Sequence, residues 1–180
     1  NFIAERQNNL KPYNLSDVDN KKSDSMLATS VATNLEIPWS LDFLPDGSII
    51  FTERPGRIRI VDVDEGLLQQ PLLTIEEVVH RGEGGLLGIT LHPDYINNHW
   101  VYVYYTYQDG NGLANKVVRF EKDKHHLINR TKIIDSIPGG FIHNGGRIKF
   151  GPDGYLYITI GDSANSELAQ KKNSMDGKIL

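Results

Sequence analysis

Apolar and polar residues alternate with a period of two in three stretches of this chain, LDFLPDGSIIFT (residues 41–52), ITLHPDY followed by WVYVYYT (89–95 and 100–106), and IKFGPDGYLYIT (148–159). That period places every second side chain on one face of a β-strand. Each stretch reads as a strand, a Pro-Asp turn and a second strand, with Pro45, Pro93 and Pro152 presetting the turn and Gly47 and Gly154 following two residues later. No long stretch repeats its apolar positions at three and four, so helix is poorly supported. Residues 166–173 are expected to form a helical turn and nothing more.

The three hairpins recur 48 and 59 residues apart, which leaves room after each for two further strands, such as residues 57–63 and 71–75, or 116–121 and 132–137. Four strands per repeat at this spacing is the size of a propeller blade. A β-sandwich would also show short strands and turns, but not the same hairpin at blade-sized intervals. The pattern therefore predicts an all-β propeller with one four-stranded antiparallel blade over about 31–78, a second over 79–138, and a third that starts near 143 and is cut at Leu180. Propellers close with at least four blades, so a chain carrying under three is expected to be part of a larger ring. Residues 1–30, rich in Asn, Asp, Lys and Ser, are expected to be a polar tether preceding the propeller of residues 31–180.

Charge narrows the function. With 19 Lys and Arg against 23 Asp and Glu, the chain carries a net charge of −4 and offers no broad positive field for a phosphate backbone, so a nucleic-acid partner is disfavoured. No apolar run is long enough to span a bilayer. Cysteine is absent, which excludes a disulfide framework and a thiolate zinc site. Two sequons, at Asn14 and Asn129, would matter only in a glycosylating compartment.

Two segments carry candidate chemistry. In RGEGGLLG (81–88) four glycines surround Glu83 ahead of a strand. They either let a ligand approach the backbone or only turn the chain into that strand. In FIHNGGRIKFGPDGYLYITIGD (141–162), His143 precedes the third hairpin; on its pattern alone it reads as a capping or core histidine. Both segments, with HPDY (92–95), ELAQ (167–170) and NSMDGKIL (173–180), resemble the glucose/sorbosone dehydrogenase family in that family's order. IPWSLDFLPDG (37–47) is similar to its first blade.

The resemblance implies a six-bladed propeller that binds pyrroloquinoline quinone (PQQ) and calcium in a central cleft and oxidises an aldose at C1 to the lactone. It implies that His143 is the general base and that Glu83 and Glu167 face the cofactor, each standing where the soluble glucose dehydrogenases carry Gln. Those enzymes have Asp before the base; here Ile142 stands there, which implies one missing polar contact beside the imidazole. The family also implies a periplasmic or extracellular location, a sugar substrate, an external electron acceptor, and further PQQ and calcium contacts beyond Leu180. His80, His92, His99, His125 and His126 are assigned structural or solvent roles. The alternative is a non-catalytic propeller module, similar to the Hedgehog-interacting proteins or binding carbohydrate.

Overall fold

The computed structural model describes residues 29–110 and 112–180, and residues 32–180 form one unit built almost wholly of antiparallel sheet. The predicted tether falls largely outside the described residues. The first sheet holds β1 (Pro38–Phe43), β2 (Ile49–Glu53) and β3 (Arg57–Asp62), followed by the short β4 (Gly66–Leu67) and β5 (Leu73–Thr74), both paired with β3. The expected fourth strand at 71–75 is thus two pieces of a strand starting earlier. Pro71, which has no N–H to give, interrupts it at Gln69 and Gln70, and the ladder resumes when Leu72 N–H bonds the Ile58 carbonyl (2.8 Å).

The second sheet runs β6 (Leu86–Leu91), β7 (Trp100–Asp109), β8 (Gly112–Asp123) and β9 (His126–Pro138) in sequence order. A single-turn helix, α1 (Tyr95–Asn98), joins β6 to β7, where the sequence pattern predicts only a tight turn. The reason is local. The other two hairpins place Gly47 (φ +96°) and Gly154 (φ +81°) after the Pro-Asp pair, whereas the second has Tyr95, which cannot turn cheaply through positive φ. The chain winds on and reverses at His99 (φ +55°) instead.

The third sheet pairs β10 (Ile148–Phe150) with β11 (Leu156–Ile158), and backbone bonds from Ile158 and Leu180 to each other (2.9 Å) begin its next strand. A 3-10 helix, Ser166–Gln170, lies between, inside the helical turn read from the sequence. The described fold is therefore two complete blades and the opening strands of a third, an unclosed arc of a β-propeller.

Strand β7 shows what holds the arc together. Val101, Val103, Tyr105 and Tyr107 enter a core shared with the first blade, while Tyr102 and Tyr104 enter a core shared with the third. The sheet is covered on both faces, so period two assigns residues to one seam or the other rather than to core or solvent. Each fully buried aliphatic chain here contributes roughly 1.5–3 kcal/mol. Polar ties reinforce the seams: the Asp42 carboxylate accepts the Leu91 N–H (2.9 Å), and the Arg147 guanidinium lies 4.7 Å from the Trp39 ring centroid. Strands β1, β6 and β10 pack side by side as the innermost strand of each blade.

Candidate active site

The loop of residues 139–147 and the loop of residues 81–85 meet where β6 and β10 begin. Glycine makes the meeting possible. A Cβ at Gly82 (φ +58°) would collide with the Phe141 carbonyl oxygen, and one at Gly88 with the Gly146 carbonyl oxygen. The two loops therefore touch backbone to backbone. The glycines serve a purpose outside both readings of the sequence, since what approaches their backbone is another part of the chain.

Glu83 straddles the junction. Its N–H donates to the Phe141 carbonyl (2.8 Å), and its side-chain Oε2 accepts the His143 N–H (2.7 Å). Arg54, just past β2, holds this loop from the first blade: its Nη2 donates to the Gly84 carbonyl (2.8 Å) and to the Gly82 carbonyl. The carboxylate expected to face a cofactor is thus bonded to the backbone of the candidate base.

His143 has φ +58°, left-handed and unusual for a histidine, and its side chain is 53% exposed. Its Nδ1 lies 2.8 Å from Asp162 Oδ1, which also accepts the Ala164 N–H (3.1 Å). The bond from His143, more than any other influence, holds the Asp162 carboxyl below its usual range. An ionised carboxylate has no hydrogen to give. The proton of a neutral ring therefore sits on Nδ1, leaving the lone pair on Nε2, which has no hydrogen-bond partner among the described residues.

Asp162 is the residue sequence reasoning missed. Ile142 offers the ring no polar side chain, and the ring's polar partner is instead a carboxylate nineteen positions later. Hairpin register was the available signal: Ile148 pairs with Ile158, and carrying that pairing outward sets residues 162 and 163 opposite 144 and 143. The Ser163 N–H indeed donates to the His143 carbonyl (3.3 Å). Glu167 is not drawn in. It lies exposed on the 3-10 helix with no hydrogen bond or ion pair among the described residues.

No three His, Asp or Glu side chains gather as a metal-binding group among the described residues. An open cleft of about 490 Å³ lies at the opposite ends of the inner strands, lined by Asp42, Thr90, His92 and Lys149 among others. It is remote from the His143 end.

The glucose/sorbosone dehydrogenase family model matches residues 35–180. This chain belongs to that family. Quinoprotein glucose dehydrogenase B of Acinetobacter calcoaceticus is 30% identical over 169 residues, 88% of this chain and 35% of that protein. The PQQ-bound aldose sugar dehydrogenase of Streptomyces coelicolor superposes with a TM-score of 0.78 at 40% identity, over 84% of this chain and 46% of that one. Mouse Hedgehog-interacting protein is 30% identical over 159 residues, 78% of this chain and 23% of that protein. The chain thus spans less than half the length of these glucose/sorbosone dehydrogenase relatives. Among its described residues no helix is long and apolar enough to cross a membrane.

Proposed function

We propose that this chain supplies the base-bearing part of a PQQ-dependent aldose dehydrogenase, acting outside the cytoplasm and passing electrons to an external acceptor. The observation that carries the reading is the half-exposed His143 imidazole, locked by Asp162 into the tautomer whose Nε2 can accept a proton.

In this reading Nε2 takes the proton of the sugar's C1 hydroxyl, and the developing imidazolium is stabilised by the Asp162 carboxylate across Nδ1. Glu83 fixes the backbone from which the ring projects. PQQ, when bound, supplies the acceptor for the hydride leaving C1. The described residues fit the substrate side of such a site: an open imidazole, the exposed Phe141 ring, and exposed Arg81 and Arg147 on the same two loops. They offer no calcium cage, and no step above is routed through a metal. Glu167, exposed and unengaged, is left as a cofactor-side contact.

The test uses the full-length protein supplied with PQQ and calcium in a dye-linked assay of aldose oxidation. His143→Gln should lower kcat by about 10²–10⁴-fold while PQQ affinity changes little. An unchanged kcat would remove His143 as base. The likeness to Hedgehog-interacting protein supports a second reading, a non-catalytic binding module. Failure of the wild-type protein to bind PQQ would favour it.

A further inference from the structure

His143 is held at three points by groups of the surface: Glu83 on its N–H, the Ser163 N–H on its carbonyl, and Asp162 on its ring. None of these groups is buried in the core. The next residue is. Asn144 is 2% exposed, and both ends of its side chain are bonded. Oδ1 accepts the Gly140 N–H (3.0 Å) and an Asn115 amide hydrogen (3.2 Å), and Nδ2 donates to the Gly140 carbonyl (2.9 Å). Its backbone carbonyl accepts the Tyr104 hydroxyl (2.9 Å).

Asn115 is itself fully buried. It accepts the Thr106 hydroxyl (2.7 Å) and donates to the Pro138 carbonyl (2.8 Å). The bonds therefore run from the loop into β7 and β8, the rigid middle of the second blade. A buried polar network with its members paired fixes one geometry, because every alternative leaves a donor or acceptor unsatisfied.

We infer that Asn144 is a positioning residue for the His143 imidazole, a clasp through which the second blade keeps residue 143 left-handed and its ring on Asp162. This rests on the reading of His143 as the base. Residues 143 and 144 share a peptide plane, so release of Asn144 lets φ at 143 relax toward the right-handed region. The Cα–Cβ bond swings, Nδ1 leaves Asp162, and the ring proton is free to move to Nε2. The lone pair that would accept the sugar proton is then lost from the productive nitrogen.

The experiment compares wild-type and Asn144→Ala full-length protein, labelled with ¹⁵N-histidine and free of cofactor, by long-range ¹H–¹⁵N NMR at neutral pH. The expected wild-type spectrum shows His143 as a single Nδ1–H tautomer, and the variant shows averaging between the two tautomers. In the PQQ-loaded protein the variant should lose at least tenfold in kcat with KM and PQQ affinity within threefold. Added to Asp162→Asn it should cost less than a further threefold, since both act through the same ring.

Should Asn144→Ala fail to fold, Tyr104→Phe removes only the hydroxyl on the Asn144 carbonyl and should shift the tautomer in the same direction. A folded variant that keeps the wild-type tautomer, or losses that multiply fully with Asp162→Asn, would overturn the inference. A tautomer shift in a protein whose wild type shows no PQQ-dependent turnover would uphold the clasp and sink the catalytic reading instead.

Discussion

Glu53 ends β2 with its side chain wholly removed from solvent, and it is the only fully buried carboxylate among the described residues. It accepts the Glu36 N–H (2.7 Å) on one oxygen, and Arg57 Nε (2.7 Å) and Arg59 Nη1 (3.4 Å) on the other. Burial pushes its pKa up, but the Glu36 backbone bond and the two guanidinium groups outweigh that and hold it below the usual glutamate range. Glu53→Gln keeps the shape and removes the charge. The amide can present oxygen to only one side, so either the Glu36 N–H or the Arg57 Nε then faces an NH₂ group.

Breaking a buried pair by removing one partner costs about 3–5 kcal/mol. The side chains of Arg57 and Arg59 are 30% and 12% exposed, so water can partly replace what they lose. An expected cost of roughly 2–3 kcal/mol follows, or about 4–12 °C in Tm for a domain of this size. The depressed pKa adds a pH signature. Its stabilisation is complete above the unfolded value of roughly 4–5 and is lost as pH falls through the lower folded value. Thermal scans of both proteins from pH 7 to pH 3 should therefore show Tm values that are well separated at neutrality and converge in acid. A difference under about 1 °C at pH 7, or one that grows in acid, would refute the reasoning.

Gly82→Ala puts a methyl into the Phe141 carbonyl at a backbone of φ +58°, so it should part the two loops of the site. Loss of amide-exchange protection at Glu83, whose N–H donates across that junction, is the measurement; retained protection would refute it. Glu77 joins the Tyr105 hydroxyl, Arg130 and Lys116 (3.6 Å) between the first two blades. Its side chain is 37% exposed and therefore screened, so Glu77→Gln should cost only about 1 kcal/mol by urea denaturation, less than Glu53→Gln.

How much of this was legible depended on which faces of a strand are covered. The hairpins β1–β2, β6–β7 and β10–β11 were readable because each pairs period-two alternation with a Pro-Asp turn. β9 was placed at 132–137 but spans His126–Pro138, since as an outer strand it buries little and its exposed run from Ile128 to Ile133 carries no periodic signal. Residues 83 and 143 could be picked out as candidates from motifs. Asp162 could have been reached only by extending the hairpin register, and Arg54 and Asn144 not at all, because these residues act through tertiary hydrogen bonds. A polar residue that will be buried and paired looks, in a sequence, like one that will be solvated.

The contact between Gly88 and Gly146 bears on mechanics. Where two blades meet through side chains, a shift in one is absorbed by rotamer changes and small repacking. Here the inner strand of the second blade meets the loop of the base backbone to backbone at Gly88, with the Leu87 side chain packed beside the contact on Gly146. Such a joint can yield less than one made wholly of side chains. Any displacement of β6 should reach residue 143 less diminished, so the alignment of the imidazole is set by how well the ring of blades holds its radius.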